Sequence, residues 1–173
     1  MFFVNARAIV ERERDGKIEI VVQTRNKPNE PARLELPGGR IEPFESLTAA
    51  LRREVKEETG LDVTYIEGEE TRLDTAGSNP DFVVECVRPF AAYQTIKGSF
   101  DSVGYYFICK AEGNLLQEGD GTIGIQWIEI GKLADMMRED PLQFINVDRA
   151  GIMFYLKHRG WLQVIPTQTI EPE

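Results

Sequence analysis

The stretch Gly39–Leu61, GRIEPFESLTAALRREVKEETGL, changes character halfway along. Ala49, Ala50, Leu51, Arg52, Arg53 and Lys56 are strong helix formers, Pro43 lies ahead of the run, and Gly60 is a natural stop. At about 100° per residue, Leu47, Leu51 and Val55 form one apolar stripe. Glu54, Glu57 and Glu58 fall within an arc of roughly 100° that overlaps it. A surface helix ordinarily sets its acids opposite the buried face. Here Glu54 and Glu58 share the side of Leu47 and Leu51.

Carboxylates at i, i+3 and i+4 crowd one another, and close like charges raise a pKa or recruit a cation. Carboxylate oxygens are hard ligands suited to Mg²⁺, with Mn²⁺ an alternative. The preceding Pro37-Gly38-Gly39 lets a backbone carbonyl approach the same ion, because glycine has no Cβ to block it. Arg53 stands one turn before Glu57, within reach of an ion pair, and Glu45 is placed to meet that guanidinium or the helix N-terminus. Taken alone, a Glu-x-x-Glu-Glu run is usually a solvated helix face.

The complete spacing says more. Gly39, five residues, Glu45, seven residues, then Arg53-Glu54-Val55-Lys56-Glu57-Glu58-Thr59-Gly60-Leu61 fills every specified position of the Nudix box. The chain therefore resembles a Nudix hydrolase of the MutT-like kind, with the box over 39–61. The resemblance implies an α+β fold, the Nudix-type α/β/α sandwich on a mixed β-sheet. It implies that Glu54, Glu57 and Glu58 bind metal with the Gly39 carbonyl, supported by Glu45 and Arg53.

Composition agrees with a globular chain. With 173 residues, 42% hydrophobic and 28% charged, one domain over 1–173 is expected. The formal charge of −9 disfavours nucleic-acid and anionic-membrane partners, which need a basic footprint. It leaves a nucleotide substrate open, since bound metal reverses the local field. Cys86 and Cys109 sit in apolar runs and read as buried free thiols, suiting a reducing compartment. No signal peptide or membrane-length run is seen, so the expected location is cytoplasmic.

Along the chain, residues 3–12 and 17–25 read as a hairpin around Asp15-Gly16. Leu34–Leu36 is a short strand leading to Pro37, and Asp62–Ile66 is another. The polar stretch through Ser78-Asn79-Pro80 reads as a loop near the substrate side. Apolar strands follow at 82–94, bent at Pro89, and 103–110, with Ile123–Ile128 after the glycine-rich turn. Helices are expected over 130–138 and 148–158, the second with Asp148 as N-cap and Gly160 as stop. This last helix is available for a homodimer contact or for enclosing substrate.

Other features are weaker. His158 is the only histidine and suits a helix C-terminus better than catalysis. Trp127, between Ile125 and Ile128, reads as core. Tyr93 and Tyr105 are candidate base-stacking side chains, although alternation puts at least half of the strand aromatics in the core. Arg25, Arg33, Arg40 and Arg88 are candidate phosphate contacts, each more simply read as solvated charge, with Arg40 kept as the substrate-binding candidate.

The resemblance implies cleavage of a diphosphate linkage in a nucleoside diphosphate joined to another group, with a small-molecule nucleotide as partner. Nudix enzymes often supply a base from a loop before a late Trp-containing strand. Here that loop holds Glu118 and Asp120 among Gly119, Gly121 and Gly124, with Glu118 favoured for its reach. The alternatives are a non-catalytic nucleotide-sensing module and an acidic interaction domain. Two subfamily markers are missing. Thr75-Ala76-Gly77 stands where ADP-ribose enzymes have proline, and no tyrosine lies between Tyr65 and Tyr93 to match the dinucleoside polyphosphate type.

Overall fold

The computed structural model describes residues 1–163. Strand β1 (Phe2–Arg14) turns into β2 (Lys17–Arg25) through Asp15 and Gly16, whose φ angles of 52° and 75° suit a two-residue hairpin turn. Short strands β3 (Arg33–Glu35) and β4 (Gly38–Arg40) then pair with β2 and β1. Helix α1 (Leu47–Thr59) is followed by β5 (Asp62–Ile66). After it come β6 (Leu73–Asp74), β7 (Glu85–Cys86), β8 (Ala91–Gln94) and β9 (Asp101–Glu112). The chain continues through β10 (Glu118–Gly119), β11 (Thr122–Glu129), α2 (Ile130–Glu139) and α3 (Asn146–His158).

The main sheet runs β10-β11-β2-β1-β9-β5. Its centre is a parallel pairing of Phe2–Val10 with Asp101–Cys109, while β1 and β2 are antiparallel, so the sheet is mixed. Alternation along the central strands sorts their side chains onto two buried faces. Ala6, Ala8, Val10, Val21, Phe107 and Cys109 pack with Ala50, Leu51 and Val55 of α1. Ile9, Ile20, Val22, Tyr106 and Ile108 pack with Leu133, Met137, Ile152 and Tyr155 of α2 and α3. This is the α/β/α sandwich. Each fully buried Leu, Ile, Val or Phe stabilises it by roughly 1.5–3 kcal/mol.

Helix α1 begins at Ser46, whose Oγ accepts from the Ala49 N–H at 3.2 Å, and ends at Gly60 with φ 81°. The same strand-to-helix route through Pro37, Gly38 and Gly39 that the sequence foretells brings the helix edge against β4.

Several expectations need correction. The continuous strand over 82–94 is two short strands. Glu85–Cys86 pairs with β6, Ala91–Gln94 pairs with β9, and the segment holding Pro89 separates them. Proline has no N–H to continue a ladder. Ser78, Asn79 and Pro80 of the polar stretch before it are exposed. Glu85, after that stretch, reaches the start of α1, accepting from Leu47 N–H at 3.1 Å and from Arg72 Nε at 2.7 Å. Cys86 is exposed rather than buried, while Cys109 is buried, and both are free. Asp148 is not the cap of α3, which starts two residues earlier with Ile145 at the cap position. Trp127 is half-buried on the α1 side, with the Arg12 guanidinium 4.1 Å above its ring. Among the described residues no helix is long and apolar enough to cross a membrane.

Candidate active site

Glu58 lies on the buried edge of α1, as its position beside the apolar stripe requires. Its Oε2 accepts from Gly38 N–H at 2.9 Å and from Gln23 Nε2 at 2.8 Å. Burial is the largest influence and pushes its carboxyl up to about 8, against the pull of Arg7 and these donors. A divalent cation against the carboxylate would reverse that balance.

Glu54 leans over Gly39. A Cβ placed on Gly39 would stand 2.7 Å from the Glu54 carboxyl carbon and both its oxygens. Only glycine lets this carboxylate lie so close to the backbone. Arg53 is the hub behind the acids. It donates to Glu45 Oε1 at 2.8 Å and Oε2 at 2.9 Å, to Glu54 Oε1 at 2.8 Å, to Glu57 Oε2 at 3.3 Å and to the Arg40 carbonyl at 3.2 Å. The bidentate pair with Arg53 holds the Glu45 carboxyl below its ordinary range. Glu57 is the outermost of the three acids, its side chain 48% exposed against 14% for Glu54.

A cleft of about 820 Å³ opens beside this edge, with Gly38, Gly39, Glu54, Glu58 and Asp120 among its lining residues. The lining also carries five basic residues, Arg7, Arg25, Lys27, Arg33 and Arg40, beside Glu30 and neutral side chains. Lys27, Arg33 and Arg40 make no salt bridge among the described residues, whereas Arg25 pairs with Glu30 and lies 3.5 Å from Glu35. Phe3 and Phe100 meet edge to face at 6.1 Å within the lining, and the Arg40 guanidinium sits 4.4 Å over Phe3.

The other sequence candidates divide. Asp120 lines the cleft, and its N–H donates to the Glu57 carbonyl at 3.3 Å. Glu118 is exposed on β10 and is not among the lining residues. The turn between them is pinned to α1, because a side chain on Gly119 would run into the Glu58 carbonyl. Tyr93 packs on Tyr106, and its hydroxyl accepts from Asn5 Nδ2 at 2.8 Å, one residue behind the cleft wall. Tyr105 packs in the α1-side cluster, away from the lining. Arg25 and Arg33 belong to the cleft rather than to open solvent, and Arg88 does not.

Two buried charged residues of this region carry no mark of it in the sequence motif. Arg7 donates through Nη1 to the Leu36 carbonyl at 3.2 Å and the Gly38 carbonyl at 2.7 Å. Asp148 accepts from Leu36 N–H at 2.8 Å, and its Oδ1 is 3.4 Å from Arg7 Nε. Burial opposes the Arg7 charge, but Asp148, Glu35 and Glu58 outweigh it and hold the guanidinium charged. The available signal was an arginine in the middle of an otherwise apolar run, Ala6-Arg7-Ala8-Ile9-Val10. Phe3 and Phe100 gave no signal: a phenylalanine at a strand start and one in a loop are ordinary, and only the tertiary structure brings them together.

The donor set of Gly39, Glu54, Glu57 and Glu58 is all oxygen, the chemistry of Mg²⁺ or Mn²⁺. The absence of a Cβ at Gly39 lets the Glu54 carboxylate lie against the backbone there. Among the described residues, no three acidic, cysteine or histidine side chains form a ready cluster. The reason is visible: Glu58 turns inward to Gly38, while Glu57 turns outward to Arg53.

Residues 1–147 match the NUDIX domain family. A Jonesia denitrificans protein described as a possible asymmetric diadenosine tetraphosphate hydrolase is similar in structure, with a TM-score of 0.65 and 15% identity over 95% of this chain and 99% of that one. The NUDIX domain of Shewanella oneidensis NrtR, crystallised with ADP-ribose, gives a TM-score of 0.63 and 15% identity over 92% and 89%. The E. coli ORF135 protein gives 0.62 and 19% identity over 91% of each chain. At these identities the likeness is one of fold. A comparison with curated proteins found no match.

Proposed function

The chain belongs to the Nudix family of pyrophosphohydrolases, and from that premise we propose Mg²⁺-dependent hydrolysis of a diphosphate linkage in a nucleoside diphosphate joined to a further group. The observation that carries this is the cleft's mixed lining. Glu54 and Glu58 of α1 share it with Arg25, Lys27, Arg33 and Arg40 in a chain whose overall formal charge is −9. A local basic cluster in an acidic protein suits a polyphosphate.

Gly39, Glu54, Glu57 and Glu58 would hold the cation, with Mn²⁺ as a substitute. Bound there, the ion would screen phosphate charge, activate water and stabilise the leaving phosphate. Arg53 fixes the acids around it and keeps Glu45 charged. Arg25, Lys27, Arg33 and Arg40 receive phosphate oxygens. Phe3, Phe100 and the Arg40 guanidinium offer a stacking surface for a base. Asp120 takes the proton from the attacking water, supported by its place in the lining and its anchoring to α1. Glu118 stands second. No covalent nucleophile is required.

The second reading is a nucleotide-sensing module that does not turn over; the NrtR domain of the same fold was crystallised with ADP-ribose bound. The complete Glu54, Glu57 and Glu58 set favours hydrolysis. The free thiols of Cys86 and Cys109 suit a cytoplasmic location. A hydrolysis screen with Mg²⁺ over nucleoside triphosphates, nucleotide sugars, ADP-ribose and dinucleotides tests the proposal. Turnover of at least one, with a nucleoside phosphomonoester among the products, is expected, and binding without turnover across the set would favour the sensor.

A further inference from the structure

We infer that Arg7 and Asp148 are positioning residues that clamp the Leu36–Gly38 segment and thereby set where Gly39 and Glu58 stand. The inference rests on reading Gly39 and Glu58 as metal-holding residues. It assigns a role in the site to two side chains outside the Nudix box, one on β1 and one on the first turn of α3.

Pro37-Gly38-Gly39 contains two adjacent glycines, the residues with the most backbone freedom. A carbonyl that is to ligate a metal needs that freedom removed from outside. Arg7 removes part of it, since one nitrogen, Nη1, bonds both the Leu36 and Gly38 carbonyls. Asp148 removes more by taking the Leu36 N–H. The two ends of Leu36 are thus held by two different elements. The Pro37 carbonyl is also taken, by Ala8 N–H at 2.8 Å. Together these bonds fix the Gly38 N–H, which donates to Glu58, and set the Gly39 backbone beneath Glu54.

The energetics argue against a role in stability alone. Arg7 is 7% exposed and Asp148 is fully buried. Burying two charges costs several kcal/mol each, and the return depends on good geometry. Here Arg7 Nε and Asp148 Oδ1 are 3.4 Å apart, and neither atom makes a hydrogen bond. The pair is poorly optimised as a pair and well optimised toward the loop. The direct bonds to Leu36 and Gly38 are where its geometry is good.

The test uses Arg7→Gln, Arg7→Lys and the neutral double variant Arg7→Gln/Asp148→Asn, all below their unfolding temperatures. Three quantities are read: the Gly38 amide resonance in metal-free protein, Mn²⁺ affinity by electron paramagnetic resonance, and kcat against KM. The expected result for Arg7→Gln is a shifted Gly38 amide, Mn²⁺ binding weaker by roughly 10- to 100-fold, and a comparable loss of kcat with KM little changed. Arg7→Lys, able to reach one carbonyl, should recover part of each. If Arg7→Gln does not fold, the double variant, which leaves no lone buried charge, carries the same expectations. A folded variant with wild-type Gly38 resonance and Mn²⁺ affinity overturns the inference. So does a raised KM with intact kcat, which would make Arg7 a substrate contact. If wild-type protein itself fails to bind Mn²⁺, the metal reading falls, while the metal-free Gly38 resonance still decides the clamp.

Discussion

Gly38 N–H donates to Glu58 Oε2 at 2.9 Å, joining the loop wall of the cleft to the buried edge of α1 in a single hydrogen bond. Behind it, Gln23 Nε2 donates to the same oxygen, and Thr122 Oγ1 donates to the Glu58 carbonyl at 3.2 Å. Glu58 is therefore held from β2, β4 and β11 at once. The side chain of Glu57, one residue earlier, is held among the described residues by Arg53 alone. The two acids share a helix edge and differ in how far each can move.

Removing charge while keeping shape tests that edge. Glu57→Gln and Glu58→Gln are each expected to lower kcat by about 10²-fold or more, with the fold retained by circular dichroism. Lys56→Gln is the internal control. Lys56 points to solvent and bonds Gly60 O at 3.1 Å and Asp62 at 2.8 Å, so its loss should leave kcat unchanged and stability within about 0.5 kcal/mol. Equal damage from Lys56→Gln would place the functional edge elsewhere.

Gly39→Ala adds a single methyl group 2.7 Å from the Glu54 carboxylate. Glu54 must swing away or β4 must shift. Kinetics with Mn²⁺ titration are expected to show a raised metal requirement and reduced kcat. An unchanged metal requirement would remove Gly39 and Glu54 from a common site.

Asp120→Asn and Glu118→Gln separate the two loop acids. Because Asp120 lines the cleft and Glu118 does not, Asp120→Asn should lower kcat with Mn²⁺ affinity little changed, and part of the rate should return at higher pH. Glu118→Gln should have the smaller effect. If both variants, alone and combined, keep full kcat, the base lies on α1, with Glu54 next in line.

Much of this site was legible because the helix carries it in one local run. The spacing from Gly39 to Leu61 lies within one loop and one helix, so local periodicity reports which side each glutamate faces. Asp120 and Glu118 could be named but not ranked. Their difference depends on Gly119 packing against α1 at Glu58, a contact between residues far apart in the chain. Arg7 and Asp148 were out of reach for the same reason. Asp148 has the composition of a helix cap, and only tertiary structure shows it facing Leu36 instead. Tyr105 and Tyr93 looked equivalent in sequence. Their faces are set by strand parity within the assembled sheet, which places Tyr105 over α1 and Tyr93 against Tyr106.

Acid stability reports on another buried carboxylate, Glu11. Glu11 accepts from Tyr155 at 2.6 Å, from Arg159 at 2.9 Å and from Lys110 at 3.1 Å. Burial is the largest influence and raises its pKa, but Tyr155, Lys110 and Arg159 together outweigh it and hold the carboxyl below its ordinary range. A carboxyl depressed in the folded state stabilises above its unfolded pKa, and that contribution is lost as pH falls through the folded value. Glu11→Gln is therefore expected to cost about 2 kcal/mol at pH 7 in denaturant titrations, with the gap to wild type narrowing as pH falls below the ordinary carboxylate range. A gap independent of pH would mean that Glu11 acts through packing alone.

The central claim is that the carboxylate edge of α1 works through a divalent cation on a diphosphate. It is tested most directly by following turnover of one substrate found in the screen, in excess chelator and then after Mg²⁺ is restored. Activity should vanish in chelator and return in full with Mg²⁺, and Glu58→Gln should show no such recovery. Full turnover in excess chelator would contradict the account.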